Sequence, residues 1–372
     1  MRKMRANSGV RCQVSGVRAR FPGTWNLTPG TFLLGVTLIL NACGRSSGPT
    51  PLVVYSPHGR DQLTMMEKAF EAANPDIDVH WLDMGSQDAF DRVRSERANP
   101  QGDIWFGGPS TMFLKAAADS LLEAYRPAWA NGLPERARDP NGFYHAVYET
   151  PVIIAYNTAA IKAEDAPQDW DEVLAPKWKN KVLIREPFGS GTMRVIWGLL
   201  IERGMKTPGD TGPGFQWLRR LDGQTKEYVM NPALLDQKLV RQEGLISLWD
   251  LPDILQEQLK GSPLGYVFPT SGTAVIEDCI AVIRGAKHPD AAKRWVDWVG
   301  SDATLLLTAR DMMRLPARTD LPADSLPQWV RDVRSNMKVA DVDWALLADK
   351  GAEWMTYWDR NVRGRGKSAA SQ

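Results

Sequence analysis

Residues 262–285 read SPLGYVFPTSGTAVIEDCIAVIRG. In the middle, Pro269 is followed by the turn Thr270-Ser271-Gly272-Thr273. Directly behind the turn stands an apolar strand from Ala274 to Ile283, carrying a lone Cys279. A related turn, FGSGT, occurs at 188–192, where Ser190 opens a helical pattern running to Ile201. Two hydroxyl-rich turns far apart in the chain point to one ligand held from two sides.

Outward from these turns the chain alternates. LVVYS (52–56) reads as a strand. Leu63, Met66, Phe70 and Ala73 then fall at helical spacing, and Ile77, Val79 and Trp81 alternate as a second strand. Phe90, Val93 and Ala98 mark another helix. Asp103-Ile104-Trp105-Phe106 is a third strand, followed by Gly107-Gly108-Pro109-Ser110-Thr111 and a helix to about 118. Such alternation predicts an α/β protein with a parallel sheet covered on both faces. Further strands are read at YETPVIIAYNT (148–158), KVLIREP (181–187) and LISLWD (245–250), and the C-terminal third reads as helical.

A chain of 372 residues with 43% hydrophobic and 24% charged residues has room for two domains or one large two-lobed body. The net charge of +1 conceals an asymmetry. Residues 1–42 hold six Lys or Arg and no acid, so the remainder carries 39 basic against 44 acidic residues. No basic stripe survives to suggest a nucleic-acid partner. The basic start, the apolar stretch TFLLGVTLIL (31–40) and Asn41-Ala42 have the shape of a secretory signal. The stretch is too short to span a bilayer.

Cys43 after a small residue resembles a bacterial lipobox, which implies a lipid anchor at Cys43. GRSSGPT (44–50) reads as a tether. Cys12 falls within the signal, and Cys279 reads as a small buried hydrophobe, so no disulfide is expected. The four His show no metal-ligand spacing. No GxSxG elbow, HExxH or paired carboxylates with a base are present, so no enzyme is read here.

The lipobox, VVYSP, DIWFGGPSTMFLKAAADSLLEAYRP, TPVIIAYNT, PKWKNKVLIREPFGSGT and FPTSGTAVIEDCIAVIRGAKHPDAAKRWVDWVGS occur in the order of bacterial ABC-importer extracellular solute-binding proteins. The chain resembles the branch that binds ferric iron, thiamine, polyamines and phosphonates or sugar phosphates. The resemblance implies a type II periplasmic-binding-protein-like fold, with two α/β lobes, a two-strand hinge and a ligand cleft between the lobes. It places a signal peptide at 1–42, a tether at 43–51, lobe one at 52–150 plus 275–365, lobe two at 151–274 and a disordered tail at 366–372. The implied partners are a permease and its ATPase, the implied state is a monomer, and no cofactor is implied.

Ligands of open α/β sheets sit at strand ends beside helix N-termini. The cleft candidates are therefore Tyr55, Ser56, His58, Gly108, Ser110, Thr111, Arg185, Ser190, Gly191, Thr192, Trp249, Asp250, Ser271 and Thr273. Where the ferric-iron branch carries adjacent tyrosines, this chain has Leu248-Trp249-Asp250. That departure sets iron second. The Arg and SGT turns favour an anionic oxygen-rich solute, while Trp249-Asp250 leaves a cationic amine or a polyol open.

Overall fold

In the computed structural model the described residues are 48–366. The expected signal segment, Cys43 and residues 367–372 lie outside them.

The described residues form eleven strands: β1 (Thr50–Ser56), β2 (Ile77–Asp83), β3 (Ile104–Pro109), β4 (Leu122–Glu123), β5 (His145–Asn157), β6 (Val182–Arg185), β7 (Thr225–Val229), β8 (Ile246–Asp250), β9 (Leu264–Val267), β10 (Val275–Ile283) and β11 (Leu315–Pro316). The helices are α1 (Arg60–Ala73), α2 (Ser86–Ser95), α3 (Ser110–Ala118), α4 (Gly191–Gly204), α5 (Gly212–Gln224), α6 (Pro232–Val240), α7 (Leu251–Leu259), α8 (Pro289–Val299), α9 (Asp302–Asp311), α10 (Gln328–Asn336) and α11 (Trp344–Asn361).

Strand order runs β2-β1-β3-β10-β5-β8-β6-β7. The parallel set β2-β1-β3 meets β10 antiparallel, and β6 runs parallel to β7 and β8. β5 belongs to both halves. Its residues 145–151 pair with β10, and 152–157 pair with β8 and β9. A second passage leads from β9 through residues 268–274 into β10. The first passage is one continuous strand, whereas the second makes a turn at Thr270–Ser271, closed by the Gly272 N–H donating to Pro269 O at 2.9 Å, before it enters β10. The result is a two-lobed type II architecture.

The apolar periodicities read along the chain are core faces. Leu63, Met66 and Phe70 of α1 are buried, and Phe70 meets Trp295 of α8 edge-on at 4.9 Å. Trp105 stacks on Phe113 at 4.0 Å, which makes it core and not cleft. Such aromatic pairs add about 0.5–1.5 kcal/mol beyond their buried area. Cys279 is fully buried and free, and its thiol is pushed up by burial first and then by Glu277 and Asp278.

Three boundaries differ from the sequence reading. β1 begins at Thr50, whose N–H donates to Asp76 O at 2.7 Å, so the tether stops short of it. Gly366 is held, its N–H donating to Asp222 Oδ2 at 2.8 Å, so the proposed tail does not begin there. α11, read as part of lobe one, packs on α3 of that lobe and also on helices beside the second sheet. Trp358 meets Trp197 of α4 at 5.8 Å, and Tyr357 meets Phe215 of α5 at 4.3 Å. An amphipathic helix shows which face it buries but not which sheet receives it.

Candidate functional site

Where the two sheets face each other the described residues enclose a cavity of about 750 Å³. Five helices begin at its wall. Gly59 precedes α1, Gly85 precedes α2, Ser190 caps α4, Asn231 caps α6 and Asp250 caps α7. Helix starts carry unpaired N–H groups and partial positive charge. Three are capped by their own side chains. Ser190 Oγ accepts from Met193 N–H at 3.2 Å, Asn231 Oδ1 from Leu234 N–H at 2.8 Å, and Asp250 Oδ1 from Asp253 N–H at 3.1 Å. Gly59 and Gly85 offer no side-chain cap.

One wall is built on His58 and β10. His58 Nε2 lies 2.7 Å from Asp278 Oδ2, and its Nδ1 lies 2.9 Å from Ser56 Oγ. Gly108 N–H donates to Asp278 Oδ1. Burial pulls the Asp278 carboxyl up, but His58, the Gly108 N–H and Arg314 together hold it below its ordinary value. Gly107 must be glycine here. Its φ is 107°, and a methyl group on it would come within 2.6 Å of Pro57. An irregularity of β10 at Asp278, in its pairing with both β3 and β5, turns this acid from the ladder to the cavity.

The opposite wall comes from β6 and α4. Arg185 ends β6 and is 7% exposed. Its Nη1 donates to Glu186 O at 3.2 Å and Val229 O at 3.4 Å, while its Nε is buried with no hydrogen-bond partner. Desolvation lowers its proton affinity, partly offset by Glu186 and Asp88. Glu186 itself is bound by Arg363. From the first lobe Arg314, also buried, donates through Nε to Gln62 Oε1 at 2.7 Å. Among the described residues neither Arg185 nor Arg314 has a carboxylate within ion-pair distance. Arg185, beside Gly189 ahead of α4, and Arg314, from the other lobe, line the same cavity, and two such guanidiniums can hold an anionic oxygen group.

The lobes touch at the cleft edge. A methyl group on Gly85 would reach within 2.3 Å of Gly189 O, and one on Gly191 within 2.5 Å of Pro109.

Of the residues singled out from sequence, His58, Gly108, Arg185, Ser190, Thr192, Trp249 and Asp250 line the cavity together. The others do not. Tyr55 is fully buried, donates to Glu96 Oε2 at 2.8 Å and lies under Arg92, because strand alternation turns it away from the cleft. Burial, then Glu96, pushes its hydroxyl up to about 12. Ser56 stands one layer back and orients His58. Ser110 and Thr111 begin α3, where Ser110 faces Glu277 and not the cavity. Gly191 serves the lobe contact.

Ser271 donates to Asp169 Oδ1 at 2.5 Å and lines a separate pocket of about 400 Å³ beside Trp170 and Lys338. Thr273 is fully buried and donates from Oγ1 to Val152 O at 3.2 Å. Its backbone is bound as well, to Lys338 O.

Sequence reading missed Asp278, Arg314, Asp236 and Asp253. Asp278 had a signal, an acidic pair inside an apolar strand. Arg314 had none, since only the chain's return to β5 through β11 brings it to the cleft. Among the described residues no three His, Cys, Asp or Glu are grouped to hold a metal ion, and no helix is long and apolar enough to cross a membrane.

A fold of two α/β lobes with a polar cleft between them defines a binding protein that encloses its ligand. Residues 66–335 match the bacterial extracellular solute-binding protein family, and the chain belongs to that family. It is 25% identical over 352 residues to a probable ABC transporter periplasmic-binding protein of Sinorhizobium fredii, covering 91% of this chain and 94% of the relative. It is 22% identical over 256 residues to a Salmonella typhimurium periplasmic protein named for 2-aminoethylphosphonate binding, covering 67% of this chain and 72% of that one. Among solved structures it is similar to the periplasmic binding protein AfuA of Actinobacillus pleuropneumoniae with fructose-6-phosphate bound. The TM-score is 0.74 at 24% identity, covering 86% of this chain and 100% of that one.

Proposed function

We propose that this solute-binding protein captures a small polar solute bearing an anionic oxygen group, such as a phosphate ester, phosphonate or carboxylate. Arg185 carries the reading. A guanidinium that lines the cavity, is 7% exposed and among the described residues has no carboxylate within ion-pair distance is costly until an anion joins it. Arg314 supplies donors from the other lobe, so the anion is gripped only when the lobes are together. Thr192 and the free N–H groups at the start of α4 complete the grip. A relative named for a phosphonate and a structural neighbour holding a sugar phosphate carry the same kind of group.

The solute is then handed to a permease powered by an ATPase. The lobes hinge where β5 changes partners and along residues 268–274. A lipidated Cys43 holds the protein to the outer face of a membrane, and Cys43→Ala releases it. The role is capture and delivery, so the solute is returned chemically unchanged.

Thermal-shift screening against phosphate esters, phosphonates, carboxylates, polyamines and ferric citrate tests the reading. Binding to the folded state alone raises the midpoint. A rise with anion-bearing solutes is expected, and a rise with ferric citrate alone would overturn it.

A further inference from the structure

The cleft also holds a buried acid with nothing to neutralise it. Asp236 of α6 lines the cavity, is 7% exposed, and its Oδ1 has no hydrogen-bond partner. Among the described residues it forms no ion pair. Asp250 and Asp253, at the start of α7, line the same cavity. Asp250 is 6% exposed and spends Oδ1 on the cap, while Asp253 Oδ2 accepts from the Trp249 indole at 3.1 Å.

Burial first, then Asp253, Asp250 and Glu257, pushes the Asp236 carboxyl up to about 9, against a small opposing pull from Lys260. Lys260 is itself paired with Glu257 at 3.0 Å. Burial and Asp253 likewise push Asp250 well up, with Arg314 opposing. Crowded carboxylates in a water-poor cleft are unfavourable unless a cation joins them.

We propose that the cleft takes a charge-separated solute. Its anionic group sits at Arg185 and the start of α4, and a protonated amine sits among Asp236, Asp250 and Asp253 beside Trp249. The amine half rests on the acids alone, while the pairing of both charges in one solute rests on the anion reading above.

The test is calorimetric titration of the full chain with aminoalkylphosphonates of two to four carbons. Matched plain alkylphosphonates and alkylamines are titrated beside them. The best aminoalkylphosphonate should bind at least about tenfold more tightly than its plain match. Asp236→Asn should erase that preference, the aminated and plain phosphonates then binding alike. The comparison of probes on the unaltered chain stands even if the variant fails to fold.

Equal affinity for aminated and plain phosphonates would overturn the amine subsite and leave the anion reading standing. Binding of alkylamines alone would overturn the anion reading and keep the subsite. No binding by any probe would contradict both.

Discussion

The turns at 188–192 and 270–273 share the tripeptide Ser-Gly-Thr and do different work. The first opens α4. Its Ser190 caps the helix, Thr192 faces the cleft, and the N–H groups of Gly191 and Thr192 have no place in the helical ladder. The second runs into β10, and three of its four amides are already spent. Thr270 N–H donates to Gln168 O, Gly272 N–H to Pro269 O and Thr273 N–H to Lys338 O. A hydroxyl-rich turn becomes a binding element when a helix follows it and a brace when a strand does.

The largest effect that separates them is at the arginine beside the first turn. Arg185→Ala should weaken binding of an alkylphosphonate or sugar phosphate by about 1.5–3 kcal/mol, the size of a charge-assisted hydrogen bond. Ser271→Ala, on the second turn, should leave affinity unchanged. Equal losses by titration would break the distinction.

The two glycines come next. Gly191→Ala places a methyl group against Pro109 and Ser86 and should resist closure, lowering affinity about tenfold with little change in unliganded stability. Gly272 has φ 126° and lies close to the Ala340 backbone. Gly272→Ala should therefore cost about 1–3 kcal/mol in denaturant unfolding while leaving affinity intact. The reverse pattern would show that closure occurs elsewhere.

The smallest effect concerns the wall facing the first turn. The Asp236 carboxyl is pushed up to about 9 in the folded chain, by burial and then by Asp253 and Asp250. In an unfolded chain it titrates near about 4. The folded state thus holds a proton the unfolded state has lost. The stability this confers is full below about pH 4 and is lost as pH climbs through about 9. Asp236→Asn should raise the ligand-free midpoint at pH 8 by roughly 2–4 °C, with the difference fading by pH 4. A lowered midpoint at pH 8 would mean the carboxylate is satisfied in the free protein.

The β-α alternation of the first lobe was legible because period-two and helical patterns record burial directly, whereas the two crossings between lobes were expected only from the family resemblance. The cleft was legible where a strand end meets a helix start, as at Arg185, Ser190 and Asp250. It failed at Tyr55, where position at a strand end says nothing of which face the ring takes. It failed again at Ser271, whose sequence matches Ser190. Arg314 and Asp236 were invisible for a different reason. They lie in segments with no motif, and only the tertiary path sets their charges against the cavity.

The most direct measurement is side-by-side calorimetric titration of the unaltered chain, Arg185→Ala and Arg314→Ala with fructose 6-phosphate, alkylphosphonates and citrate. The account predicts that the unaltered chain binds at least one of these solutes, and that either substitution weakens that binding tenfold or more, since the two arginines reach the solute from opposite lobes. Undiminished binding by both variants, or no binding of any anion by the unaltered chain, would contradict it.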